Sequence, residues 1–287
     1  MVAAKSPELA VLMEGVGLGE SPRWHEGRLW FSDWVAGEVV ALDTDGAHQV
    51  MAKVDAFPFS IDWLPDGPLL ITAGPKLLRM EPDGSLVTHA DLGELNDGWN
   101  EIVVDGGGNT YVNGAGFDLM GGGQFAPGLI ALLADDGSAR QVADGIAFPN
   151  GMAITPDGST LIVADSYGKE LTAFNVAADG SLSGRRTWAD LEDGVPDGIC
   201  IDAEGAVWYA DVPNRRCTRV AEGGEVLERI ELDRGCFACI LGGEDGKTLF
   251  MNVADWNGPD QIGKGPRTGQ VLAIEAATPH AGFPKAM

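Results

Sequence analysis

The chain has 287 residues, and its 41 Gly and 16 Pro set against 45% hydrophobic residues imply many short turns interrupting a real core, as in a globular all-β protein. With 19 basic and 43 acidic side chains the formal charge is −24, a field that repels phosphate backbones and anionic headgroups and so excludes nucleic acid and membrane surfaces as partners. All-β propellers and barrels commonly exceed about 200 residues as one unit, so residues 1–287 are expected to form a single domain.

Reading from the N-terminus, MVAAKSPELAVLMEG carries one Lys and a short apolar stretch broken by Ser6, Pro7 and Glu8, without the parts of a secretory signal. No apolar run approaches the ~18 residues of a membrane span, and a cytoplasmic location is the default expectation. From Gly19 the chain reads GESPRWHEGRLWFSDW, two alternating strands around a Gly turn, followed by the strand GEVVALDTDG. The pattern returns as PFSIDWLPDGPLLITAG from Pro58 with KLLRMEPDG, and as WNEIVVDGGGNTYVNGAG from Trp99. After the third copy, GFDLMGGGQFAPG has no periodicity and reads as a surface loop at one mouth, before the strand GLIALLADDG. PNGMAITPDGSTLIVADS from Pro149 leads to LTAFNVAADG, PDGICIDAEGAVWYADV from Pro196 to CTRVAEGG, and CFACILGGEDGKTLFMNVAD from Cys236 to GQVLAIEAA. Period-2 apolar spacing bounded by Asp-Gly and Gly-Gly turns is the signature of strands and hairpins. Six copies 39 to 50 residues apart, each with three to four short strands, predict a six-bladed β-propeller.

The Gly closing each first hairpin fixes the register between copies. Eight residues before Gly67, Gly108, Gly158, Gly205 and Gly246, and seven before Gly27 in the shorter first copy, the residues are Phe59, Asn100, Asn150, Asp197, Ala238 and Glu20. In a propeller the first strand of each blade lines the central channel, so equivalent positions form a ring about the axis. Glu20, Asn100, Asn150 and Asp197 would converge there as hard oxygen donors with two negative charges, a set suited to Ca2+ or Mg2+. Taken singly, such Asn and Asp residues also serve as turn residues that cap local backbone. A second column, Asp33, Asp165 and Asp211, ends the next strand in FSD, VAD and YAD, where a carboxylate can hold neighbouring backbone.

Cys236-Phe-Ala-Cys239 is a lone CxxC on an apolar strand, and with Cys200 and Cys217 it reads as small buried side chains. His25, His48, His89 and His280 lie near turns or the terminus and no G-x-S-x-G occurs, so a Ser-His-Asp hydrolase lacks its parts.

GESPRW with Glu20, WNEIVVD with Asn100, PNGMAITPDG with Asn150 and PDGICIDAEGAVW with Asp197 give the chain a resemblance, across nearly its whole length, to the regucalcin/gluconolactonase family of six-bladed propellers. The resemblance implies lactone hydrolysis at a single divalent metal held by Glu20, Asn150 and Asp197, with Asn100 contacting substrate or a water on the metal. Calcium is the favoured ion, with Zn2+, Mn2+, Mg2+ or Fe2+ as alternatives. Asp197, a carboxylate beside the metal, is the candidate general base. Two departures bear on substrate. The family commonly has an Arg two residues before the Asn100 position, where this chain has Gly98, and the usual Asp after that Asn is Glu101. Trp99 and Phe117 are expected to edge the pocket in place of a guanidinium, with Trp99 also open to packing between blades, and Asp118 in the following loop is a further substrate-binding candidate. The competing readings are another metal-dependent ester or phosphotriester hydrolase and a non-enzymatic calcium-binding propeller.

Overall fold

The computed structural model describes residues 9–65, 67–118 and 121–282. They form six four-stranded antiparallel sheets. The first strands of the six, Gly19–His25, Ile61–Trp63, Glu101–Val104, Pro149–Ile154, Pro196–Ile201 and Gly235–Gly242, touch one another in a closed circuit about a common axis. The chain is therefore a six-bladed β-propeller, as its repeats predict.

Five blades run from axis to rim in chain order. The sixth takes three strands from the C-terminal end and its outermost strand, Ala10–Val16, from the N-terminal end, pairing antiparallel with Gly269–Glu275. Strand pattern follows radius. Glu101–Val104 and Val207–Asp211 are buried throughout and, apart from the terminal Glu101 and Asp211, apolar, whereas the rim strand Val226–Glu231 is a mixture of exposed and half-buried residues. No helix among the described residues is long and apolar enough to cross a membrane.

The glycines that set the repeat register, including Gly67 at φ 109° and Gly246 at φ 73°, turn with positive φ, a region that favours residues without Cβ. Beside them an Asp fixes the turn: Asp105 Oδ1 accepts from Gly107 N at 2.8 Å and Asn109 N at 2.9 Å.

Apolar side chains collect between blades. Trp30, Ile61 and Ile71 join blades 1 and 2, Val103, Tyr111 and Val163 join blades 3 and 4, and Ile162, Ile199 and Tyr209 join blades 4 and 5. Each sheet is thus covered on both faces by its neighbours, and the axis is left to whatever the first strands present there.

Asp33 and Asp165 act on backbone. Asp165 accepts from Ala147 N at 2.8 Å, Phe148 N at 2.9 Å and Gly168 N at 2.9 Å, and Asp33 from Gly17 N, Leu18 N and Ala36 N. Each ties the segment entering its blade to the turn after the second strand. Asp211 accepts from Asn214 N and pairs with Arg216 at 3.1 Å.

Candidate active site at the axial mouth

Glu20, Asn100, Asn150 and Asp197 all line one cavity of about 900 Å3 at an end of the axis. Phe59 and Ala238, the apolar members of the same column, are both 0% exposed and stay out of it. Local backbone aims the polar side chains. Strand pairing shifts register between Glu20 and Arg23, between Pro149 and Met152, and between Pro196 and Ile199, and such bulges redirect the side chains beside them. The glycines after Asn150 and Asp197 permit close packing at the hub. A Cβ on Gly151 would lie 2.5 Å from the Asp197 carbonyl oxygen, and one on Gly198 would lie 2.6 Å from Ala238 Cβ.

The two amides are held in a chain of hydrogen bonds. Asn100 Nδ2 donates to Asn150 Oδ1 at 3.3 Å, and Asn150 Nδ2 donates to Ser166 Oγ at 3.4 Å. Ser166 Oγ donates in turn to the Pro196 carbonyl at 2.6 Å, and Asn113 Nδ2 to the Asn150 carbonyl at 2.6 Å. The carboxylates are less well satisfied. Asp197 Oδ1 is buried without a hydrogen-bond partner. Burial, then the charges of Asp197 and Glu101, push Glu20 well above the ordinary carboxylate range. Burial, then Glu101 and Asp211, push Asp197 the same way, opposed by a hydrogen bond from Asn150.

A second ionic layer lies along the first strands beyond these residues. Glu101 Oε1 accepts from Ser21 Oγ at 3.0 Å, Arg23 Nη2 at 3.2 Å and Ile102 N at 2.9 Å, and Arg23 Nε stands 3.7 Å from Asp62. Burial raises Glu101, with Arg23 as the main opposing influence. Arg23 therefore compensates the buried charge of Glu101 and leaves that of Glu20 and Asp197 uncompensated. Glu101 is visible in the sequence as a departure, whereas Ser21, Arg23 and Asp62 stand outside the aligned column, although Arg23 follows Glu20 by three residues on the same strand.

Trp99 borders the same cavity, but its side chain is 0% exposed and packs with Leu70, Ile102 and Val112 between blades 2 and 3, in keeping with the inter-blade packing that its sequence position also allows. Asp118 is exposed at the cavity wall, where its Oδ1 accepts from Gly121 N at 2.6 Å. Phe117 does face the cavity, joined by Phe148 and Tyr167, which the sequence did not single out. Phe148 and Tyr167 stack with ring centroids 4.7 Å apart, and Phe117 approaches Phe148 at 6.0 Å.

None of the four histidines lines this cavity. His25 stacks on Trp63 at 4.0 Å beside a separate cavity. The four cysteines are free and buried in the core between blades 5 and 6. Among the described residues, no three His, Cys, Asp or Glu side chains gather as a metal-binding group. An ion at the axis would thus depend on the amide oxygens as well as on Glu20 and Asp197. The fit is good for a hard dication: the donors are all oxygen, two carry charge, one is orphaned, and burial with mutual repulsion leaves both carboxylates in need of positive charge.

The fold is shared with known proteins. A solved luciferin-regenerating enzyme superposes with a TM-score of 0.83 at 19% identity, covering 98% of this chain and all of that one. The pentonolactonase XacC of Haloferax volcanii is 25% identical over 257 residues, 86% of this chain and 85% of its own. Regucalcin of Gallus gallus is 27% identical over 271 residues, 90% of each chain. A family model described as SMP-30/Gluconolactonase/LRE-like region matches residues 18–255, which include all four axial donors, and the chain belongs to that family.

Proposed function

We propose that the chain is a metal-dependent lactonase that opens a cyclic ester. The observation that carries this reading is the meeting of Glu20, Asn150 and Asp197 beside Asn100 on the wall of one cavity, with Asp197 Oδ1 buried and unpartnered. A lactonase name among the full-length relatives, the pentonolactonase of Haloferax volcanii, supports it.

Glu20, Asn150 and Asp197 are the residues that would hold the ion, with calcium favoured by the all-oxygen set. When bound, a divalent cation there supplies Lewis-acid polarisation of the ester carbonyl and a lowered pKa for attacking water. Asn100, anchored through Asn150 and the Pro149 carbonyl, orients the substrate. Asp197 accepts the proton of the water as its oxygen bonds to the carbonyl carbon. The ring C–O bond then breaks, and Asp197 returns the proton to the departing alkoxide, leaving a hydroxy acid. The neighbouring Asn150 amide opposes the upward shift of Asp197 and so favours its ionised, basic form.

A pH-stat assay on γ-butyrolactone and glucono-δ-lactone tests this, with EDTA and then Ca2+, Mg2+, Mn2+, Zn2+ or Fe2+. EDTA should abolish hydrolysis, one of the ions should restore it, and Asp197→Ala should lower kcat/KM by roughly 10²–10⁴-fold. A rate indifferent to EDTA and to every ion, and unchanged in Asp197→Ala, overturns the reading.

A further inference from the structure

Among the described residues, four large aromatic side chains are exposed: Phe57, Phe125, Tyr167 and Trp256. All four belong to the axial mouth. Phe57, Tyr167 and Trp256 line the cavity, and Phe125 packs against Phe117 at 5.5 Å and Tyr167 at 6.2 Å. The other exposed large apolar residues, such as Val50, Val87 and Val226, are aliphatic and scattered on rim strands. Scattered aliphatic residues are ordinary on a protein surface, whereas aromatic side chains gathered around one cavity, with Phe117, Phe125, Phe148 and Tyr167 in mutual contact, mark a place where apolar ligand surface is buried.

The charged groups of the cavity point the same way. Among the described residues, its lining holds Glu20, Asp97, Asp118 and Asp197 and no Lys, Arg or His. A dication at the axis would balance Glu20 and Asp197, leaving Asp97 and Asp118 nearer the mouth. An anionic substituent meets repulsion there, and a polyhydroxylated ring finds no guanidinium fork to bind its hydroxyls. The faces of Phe117, Phe148 and Tyr167 instead form a surface for a flat apolar group.

On the basis of the lactonase reading above, we infer that the substrate is an uncharged lactone bearing a planar apolar substituent, seated on the Phe117, Phe148 and Tyr167 wall while the ester reaches the axial carboxylates. Tyr167 is the specificity-determining residue most open to test, because it is 52% exposed and its removal leaves no core cavity.

The test pairs γ-phenyl-γ-butyrolactone, which releases a secondary benzylic alkoxide, with γ-butyrolactone, which releases a primary one, so each kcat/KM is taken relative to the compound's own hydroxide-catalysed rate. kcat/KM should favour the phenyl compound by at least about tenfold, which is 1.4 kcal/mol, and both over glucono-δ-lactone. Tyr167→Ala should reduce the phenyl preference severalfold, while Val226→Ala on the rim keeps it. Binding is measured separately by calorimetry with the corresponding lactams, 5-phenyl-2-pyrrolidinone and 2-pyrrolidinone, in calcium-containing buffer. The phenyl lactam should bind at least about tenfold tighter, with that advantage reduced in Tyr167→Ala. Tighter binding of the phenyl lactam without turnover of any lactone would remove the hydrolase reading and leave the apolar specificity standing. Equal or undetectable binding of the two lactams, a preference for glucono-δ-lactone, or a phenyl preference untouched by Tyr167→Ala overturns the inference.

Discussion

Glu20, buried, and Asp197, half-buried with its Oδ1 enclosed, set the energetics of the axial residues. Glu20 and Asp197 both have folded-state pKa values raised above the ordinary carboxylate range near 4. Their contribution to stability is therefore fully present below the unfolded pKa and is lost as pH rises through the raised folded values. In EDTA, thermal stability should fall as pH rises from about 4 toward neutrality, and Asp197→Asn should flatten that slope. At pH 7 in EDTA the same variant should melt roughly 2 °C or more above the parent, because it removes one ionised group from a repelling pair. A cation binds the ionised pair, so calcium should raise the parent's melting temperature increasingly over the same window and raise that of Asp197→Asn little. Scanning calorimetry at three pH values checks both signs; a parent insensitive to calcium at every pH contradicts the assigned ligand role. That Glu20, Asn100, Asn150 and Asp197 share one cavity was legible because hairpin glycines at fixed spacing define equivalent positions without coordinates. Phe148 and Tyr167 were not, since each stands outside that column and their shared wall exists only once blade 4 brings its two loops together.

At the scale of the element, the blades depend on carboxylates that hold backbone rather than ligands. Asp165, 2% exposed, receives three backbone N–H groups from two segments, and among these is Phe148 N, two residues before Asn150. Asp165→Ala would leave three part-buried donors without this partner, and the expected loss is about 1–3 kcal/mol, read as a lower urea midpoint. Asp165→Asn, which keeps one acceptor oxygen, should recover part of it. Val226→Ala on a rim strand should change stability by less than about 0.5 kcal/mol. Because Asp165 fixes the segment leading to the site, its Ala variant should also weaken calcium binding without touching a ligand. The hairpins were readable from period-2 patterning and Asp-Gly turns. The register shifts that aim Glu20, Asn150 and Asp197 inward were not, because a bulge depends on the partner strand and leaves no fixed residue signature.

Over the whole molecule, the apolar core is divided among the interfaces between blades, so the ring is only as stable as its closure. Six repeats were countable in the sequence, but the closing strand was not. Ala10–Val16 pairs with Gly269–Glu275 across more than 250 residues of chain, and nothing local to AVLMEGV distinguishes a rim strand of the last blade from a short leading segment. The pairing is reinforced at the rim, where Gln270 Nε2 donates to Glu14 Oε1 at 2.9 Å, while Val16 packs in the core between blades 6 and 1. Deleting residues 1–16 would expose the edge of Gly269–Glu275, release its hydrogen bonds and uncover part of that core. A loss of several kcal/mol follows, or roughly 10 °C in melting temperature for a chain of this size. A synthetic peptide of residues 9–17 added in trans should restore part of the loss, since its partner edge stays in place while the other blades hold. If the truncated chain melts with the parent and gains nothing from the peptide, closure through this strand contributes little, and the interfaces between blades alone hold the ring.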